Sequence, residues 1–260
     1  VVITNGAKSN RIGTNGDGLS DSAERNIVSG NRRHGILVRS AETDNTVIAG
    51  NYVGTDISGM SAIGNGQDGI WVYAEAGDTL VGTDGDGLFD SAERNVISGN
   101  ARKGIRVLNS GTTGTVIAGN YVGTDATGSF AIQNIEGIEL TGNSYNTLIG
   151  TDGDGIGDDA ERNIISGNRD YGIVVRTASH NKISGNFVGT DFSGTQAVAN
   201  GRGTGSGVTI SGTSQFNIVG TDGDGVGDDV EGNVISGNNG YNAILFVNAN
   251  VTDNVFAGNK

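Results

Sequence analysis

Residues Gly82–Asn100 read GTDGDGLFDSAERNVISGN, and the same phrase occurs three more times in the chain. The other copies open at Gly13 (GTNGDGLSDSAERNIVSGN), Gly150 (GTDGDGIGDDAERNIISGN) and Gly220 (GTDGDGVGDDVEGNVISGN), so successive starts lie 69, 68 and 70 residues apart. A fixed period of this kind marks a stacked repeat, in which each unit buries its apolar face only against its neighbours. The phrase itself has two halves, a carboxylate-rich loop and a short apolar run that closes on Gly-Asn.

Outside the phrase, apolar residues fall into three interleaved ladders. The first is Ile12, Ile48, Val81, Ile117, Ile149, Ile183, Val219 and Phe256. The second is Val28, Val53, Ile97, Val122, Ile165, Val188 and Ile235, and the third is the set of pairs Ile36/Val38, Ile70/Val72, Ile105/Val107, Ile138/Leu140, Ile173/Val175, Val208/Ile210 and Ile244/Phe246. Alternation within these short runs is a strand signal, and no helical period is sustained. The second ladder is unevenly spaced because the acidic loop precedes it on alternate rungs and a different loop, such as GTDISGMSAIGNGQ, follows it on the others. The super-repeat is therefore two rungs of about 35 residues, each of three short strands, and like residues should lie over like. With ~4.8 Å between rungs, about seven of them make a rod roughly 35 Å long. Asn31, Asn51, Asn100, Asn120, Asn168, Asn186, Asn238 and Asn259 recur at the bends, where Asn tolerates the left-handed conformation and can hydrogen-bond along a stack.

The recurring NxIxGN followed by GIxV resembles the right-handed parallel β-helix repeats of the pectate-lyase-like superfamily, including bacterial surface and copper-accessory proteins, over essentially the whole chain. The resemblance implies an all-β fold, a right-handed parallel β-helix solenoid occupying residues 1–260 as one segment. It transfers no activity. The chain opens in a third strand (VVIT) and closes in a first strand (NVFAGNK), which leads us to expect a piece of a longer chain or a protomer with uncapped ends. Flanking repeats or head-to-tail self-association would cover them.

Counting Gly82 as position 1 of a twelve-residue loop puts Asp84 at 3, Asp86 at 5, Gly87 at 6, Asp90 at 9 and Glu93 at 12, with the carbonyl of Leu88 at 7. These are oxygen-ligand positions of a calcium loop, since calcium takes six to eight hard oxygens and alternate residues of a tight loop can converge on one point. The corresponding residues are Asn15, Asp17, Asp21 and Glu24 in the first copy, Asp152, Asp154, Asp158 and Glu161 in the third, and Asp222, Asp224, Asp228 and Glu231 in the fourth. The pattern resembles EF-hand-like loops, such as those of dockerins and thrombospondin type 3 repeats, and implies about four calcium sites. It departs from them at position 1, which is Gly in every copy, and at the neutral Asn15; both lower the expected affinity to the order of 10⁻⁴ to 10⁻³ M. The competing reading is turn chemistry alone, because Asp and Gly are what tight turns select and Asp-Ser-Ala-Glu suits a single helical turn. Asp56, Asp125 and Asp191 of the other loop are read as Asx or Thr-Asp turns.

Composition narrows the function. A net charge of −13 disfavours nucleic acid and anionic membrane and favours divalent cations; four Ca²⁺ carry +8, which takes −13 to −5. There is no Cys, hence no disulfide framework or thiol chemistry, and no run long enough for membrane insertion. No clustered Asp pair stands on a strand face outside the repeated loops, and His34 and His180 are read as surface corner residues. Trp71 and Tyr73 should point outward, toward a glycan or beneath a loop; Tyr52, Tyr121 and Phe187 are read as packing. The sequence leads to a non-catalytic, calcium-stabilised extracellular scaffold, a bacterial surface adhesin, sheath or fibre subunit. The alternative is a β-helix protein that binds or degrades polysaccharide.

Overall fold

The computed structural model describes residues 1–202 and 205–260. Three all-parallel sheets wind into a β-solenoid of about seven turns with little helix. The first sheet stacks eight strands from Arg11–Gly13 to Val255–Ala257, and the second stacks seven from Ile27–Val28 to Val234–Ile235. The third stacks eight from Val2–Ile3 to Asn242–Val247 and has the longest strands, six residues from Lys103–Leu108 onward.

The register is the one the ladders require. Ile12 pairs with Ile48, Ile48 with Val81, Val81 with Ile117 and so on to Phe256. Val28 through Ile235 and Ile36 through Ile244 run in the same way through the other two sheets. Their side chains form one continuous core in which thirteen Ile and Leu residues are fully buried, while Phe256 on the last rung is left exposed. Each such side chain contributes about 1.5–3 kcal/mol by leaving water, so a thin core suffices for a narrow rod.

The corners hold two long asparagine ladders and a short third one, Asn181, Asn217 and Asn254, where the sequence suggested one. Asn26, Asn51, Asn95, Asn120, Asn163, Asn186, Asn233 and Asn259 form the first, each donating Nδ2–H to the next Oδ1 at 2.8–3.1 Å. Asn31, Asn65, Asn100, Asn134, Asn168, Asn200 and Asn238 form the second. The other Nδ2 proton goes to a strand carbonyl, as from Asn120 to Val81 and Ala118, so backbone groups at the bends are satisfied without water. The left-handed conformation expected of these Asn belongs instead to the Gly before them, for example Gly50 (φ 74°) and Gly119 (φ 73°). The Asn keeps an ordinary backbone and uses its amide to tie rungs together.

Candidate functional site

The four acidic loops line one edge of the rod and touch one another. Asp21–Glu24, Asp90–Glu93 and Asp158–Glu161 each form one helical turn, while the fourth copy makes only a turn there. In each copy a Thr hydroxyl, buried in the first three and half-buried in the fourth, donates to the position 9 carboxylate: Thr14 to Asp21, Thr83 to Asp90, Thr151 to Asp158 and Thr221 to Asp228. Asp84, Asp86 and Asp90 bring carboxylate oxygens within 4.8 Å of one another, and Asp152, Asp154 and Asp158 do the same. None of these six forms a salt bridge among the described residues. Three uncompensated hard oxygens fit a divalent cation such as calcium.

The remaining predicted ligands stand elsewhere. Glu93, Glu161 and Glu231 are buried, and each accepts the backbone N–H at position 3 of its own loop (Asp84, Asp152, Asp222) at 3.1–3.2 Å. Each also lies against the loop before it. A Cβ on Gly16, Gly85 or Gly153 would stand 2.6, 2.2 or 2.8 Å from the Oε1 of Glu93, Glu161 or Glu231. Burial, helped by Asp152 and Asp158, pushes the Glu161 carboxyl up to about 7, and burial raises Glu93 as well. In the first copy Asn15 donates to Asp17 at 2.9 Å, and Glu24 accepts the Asn15 N–H from an exposed position. In the fourth, Asp222, Asp228 and Glu231 cluster without Asp224, and Lys182 Nζ bridges Asp222 and Glu231.

Position 1 has a steric explanation. Gly82 ends a strand at φ +109°, where any Cβ would lie 1.7 Å from the carbonyl of Ala118 on the next rung. No side chain can sit there, so no side-chain ligand can come from it.

The loops leave through Arg25, Arg94 and Arg162. Each donates Nε–H to a glycine carbonyl of the next rung (Gly50, Gly119, Gly185) and lies 4.2–4.4 Å over the ring of Tyr52, Tyr121 or Phe187. That aromatic series is packing. Asp56 accepts N–H from Met60 and Ser61, four and five residues on rather than the two of an Asx turn, so its carboxylate holds the whole loop closed, and Asp125 and Asp191 repeat the arrangement.

A second, unrepeated site lies on the outer face of the third sheet. Trp71 and Tyr73 stack at 4.1 Å between ring centroids, and the His34 ring meets Trp71 at 4.6 Å. Arg106 approaches the indole at 5.6 Å. These aromatics, with Arg33, Arg39, Leu37 and Gln67, line a groove of about 550 Å³. Arg39 donates to the Tyr73 hydroxyl at 3.2 Å, and neither Arg33 nor Arg39 forms a salt bridge among the described residues.

His34 is half-buried rather than a surface corner. Burial holds its pKa below the usual histidine value against the pull of Asp68, with Arg33, Arg102 and Arg106 adding to the depression. Its Nδ1 accepts the Asp68 N–H at 3.3 Å, so the neutral ring carries its proton on Nε2 and the nearby carboxylate is no ion pair. His180 is exposed and stacks on Phe216.

Beyond the aromatics lies a charged cluster that the sequence did not reveal. Glu139, 1% exposed, meets Arg106 at 2.8 Å and Arg176 at 2.7 Å, and Lys103 stands 3.6 and 3.7 Å from Glu136 and Glu139. Three residues apart, the two Glu should occupy opposite faces of a regular strand. Gly137 breaks the alternation: its Cβ direction points inward at Ile165, beside inward-facing Ile138, so both Glu face out. Burial raises the Glu136 pKa, with Lys103 opposing it.

No family model and no curated protein matches the sequence. Among solved structures the chain is similar to a mutant form of the periplasmic alginate epimerase AlgG, with a TM-score of 0.50 and 18% identity. The match covers 89% of this chain and 44% of the epimerase, so the chain spans less than half of that protein, and at this identity the likeness concerns the fold.

Proposed function

We propose that this protein is an extracellular or cell-surface β-helix that binds anionic polysaccharide in the groove formed by Arg33, Arg39, His34, Trp71 and Tyr73. The observation that carries the reading is the groove's charge: a chain of net −13 places two arginines, without carboxylate partners among the described residues, beside a stacked aromatic pair. Arginine pairs with carboxylates in forked geometry, and the apolar face of a sugar ring packs on an aromatic. His34, with its proton on Nε2, offers a neutral donor to a hydroxyl or carboxylate. The alginate epimerase of similar fold supports a uronate-containing chain as the ligand class. No helix is long and apolar enough to cross a membrane.

Binding fits the groove better than proton abstraction, because Nδ1 of His34 is already engaged by the Asp68 amide. In the same reading the acidic loops take calcium, with Asp84, Asp86 and Asp90 and Asp152, Asp154 and Asp158 as the ligand sets. The metal would screen a row of carboxylates that otherwise repel one another along the rod.

Trp71 is the single tryptophan, so its fluorescence reports on the groove directly. Titration with uronate oligosaccharides should shift its emission and neutral glucan oligosaccharides should not. An unchanged emission, with no retention on a polyuronate matrix, would sink the proposal.

A further inference from the structure

We propose that Lys182 is a built-in counter-ion of the fourth acidic loop, so that this loop closes without a metal ion while the second and third depend on one. The inference rests on the cation reading of the loops and specifies which of them it applies to. Lys182 belongs to the first sheet, in the row Arg11, Val47, Leu80, Val116, Leu148, Lys182, Ile218 and Val255. The residue of this row one rung before the second loop is Val47, and before the third it is Val116. Neither can reach a carboxylate with a charge, and Arg11, two rungs before the second loop, meets Glu93 at 3.9 Å but pairs with none of the three gathered Asp of that loop. Before the fourth loop it is Lys182, whose ammonium lies 2.8 Å from Asp222 Oδ2 and 2.5 Å from Glu231 Oε1.

Two further differences at the fourth loop agree with this role. The carboxylates it gathers are Asp222, Asp228 and Glu231, with Asp224 outside, whereas the second and third loops gather their three Asp. The exit arginine that clamps the other loops to the next rung is Gly232 here. The fourth copy has lost one cation after the loop and gained another before it. An ammonium on a four-carbon stem is a compact point charge able to satisfy two carboxylates at once. Tethered to the rod, it needs no ion from solution.

The test uses the whole chain, ¹⁵N-labelled, in chelator and then in calcium. Gly85, Gly153 and Gly223 each donate N–H to the preceding Thr hydroxyl at 3.0–3.1 Å, but Gly85 and Gly153 are buried while Gly223 is exposed and also donates to Asp228, so each amide is compared with itself. Calcium should slow exchange roughly tenfold at Gly85 and Gly153 and leave Gly223 nearly unchanged. In chelator, Lys182→Met should speed exchange at Gly223 roughly tenfold, and Lys182→Arg should keep it at the wild-type rate. Slow exchange at the buried ladder residue Asn120 serves as the control that each variant is folded. Gly223 slowed by calcium as much as Gly85 and Gly153, or unaltered in chelator by Lys182→Met, overturns the proposal. The broader calcium reading fails on a separate readout, namely exchange at Gly85 and Gly153 that calcium leaves unchanged.

Discussion

Glu161 lies against the loop that precedes its own: a Cβ built on Gly85 would stand 2.2 Å from its Oε1. The carboxylate thus fills the space left by a missing side chain one super-repeat earlier, and it accepts the Asp152 N–H from there. Gly85→Ala must displace Glu161 and strain a backbone at φ +70°. Gly155→Ala meets nothing within 4 Å and incurs only the strain of φ +89°. Gly85→Ala should therefore be more destabilising than Gly155→Ala by about 1 kcal/mol, the worth of one hydrogen bond. Thermal melting measures both, and the excess should vanish in a Glu161→Ala background.

Burial of Glu161 gives the metal-free protein a pH dependence of unusual sign for a carboxylate. Its folded pKa, about 7, lies above the ordinary 4.5, so between those values the native state holds more protons than the unfolded chain. The contribution to stability is complete below pH 4.5 and is lost as pH rises through about 7. Melting in chelator should show this decline, and Glu161→Gln should flatten it. An equal decline in the Gln variant would assign the effect to other groups.

Calcium should raise the melting temperature, and its removal should lower it, with most of the effect in the second and third loops. Asp84→Asn and Asp152→Asn each delete one of three gathered carboxylates and should weaken the calcium response, whereas Asp56→Asn should not. Differential scanning calorimetry across a calcium titration distinguishes these outcomes. A response equal in all three variants would locate the metal elsewhere.

The asparagine ladders predict a large cost for a small change. Asn120→Ala removes donors to Val81, Ala118 and Asn163 and leaves the amide of Asn95 without its acceptor, all in fully buried surroundings. Each unpaired buried group costs about 1–3 kcal/mol, so a loss of about 3 kcal/mol or more is expected in urea unfolding. Exposed Asn239→Ala should change stability by no more than about 0.5 kcal/mol.

In the groove, Arg39→Ala should weaken uronate binding about tenfold or more, as loss of a charge-assisted contact does. Arg176→Ala, at the Glu139 cluster, should leave it nearly unchanged. Added salt should weaken the wild type more than the Arg39 variant. Trp71 emission follows all three, and new reducing ends or unsaturated products would extend the site from binding to turnover.

The architecture was legible in the sequence because period and alternation are properties of the chain itself. Ile12 to Phe256, Val28 to Ile235 and Ile36 to Ile244 could be aligned by spacing alone, since a strand that lies over its own repeat must bury the same positions. The outward placement of Trp71 and Tyr73 followed from the same rule. What spacing could not supply was contact between side chains on different rungs. Only the tertiary structure showed that Ala118 excludes a side chain at Gly82, that Glu161 fills the space at Gly85, and that Lys182 meets Asp222 and Glu231. Gly137 turned Glu136 and Glu139 to one face by breaking an alternation that the sequence reading assumed. The division has a physical origin. Burial of apolar residues depends on periodicity, which is local, whereas the meeting of charges depends on how rungs about 35 residues apart stack, and only the folded rod brings those charges together.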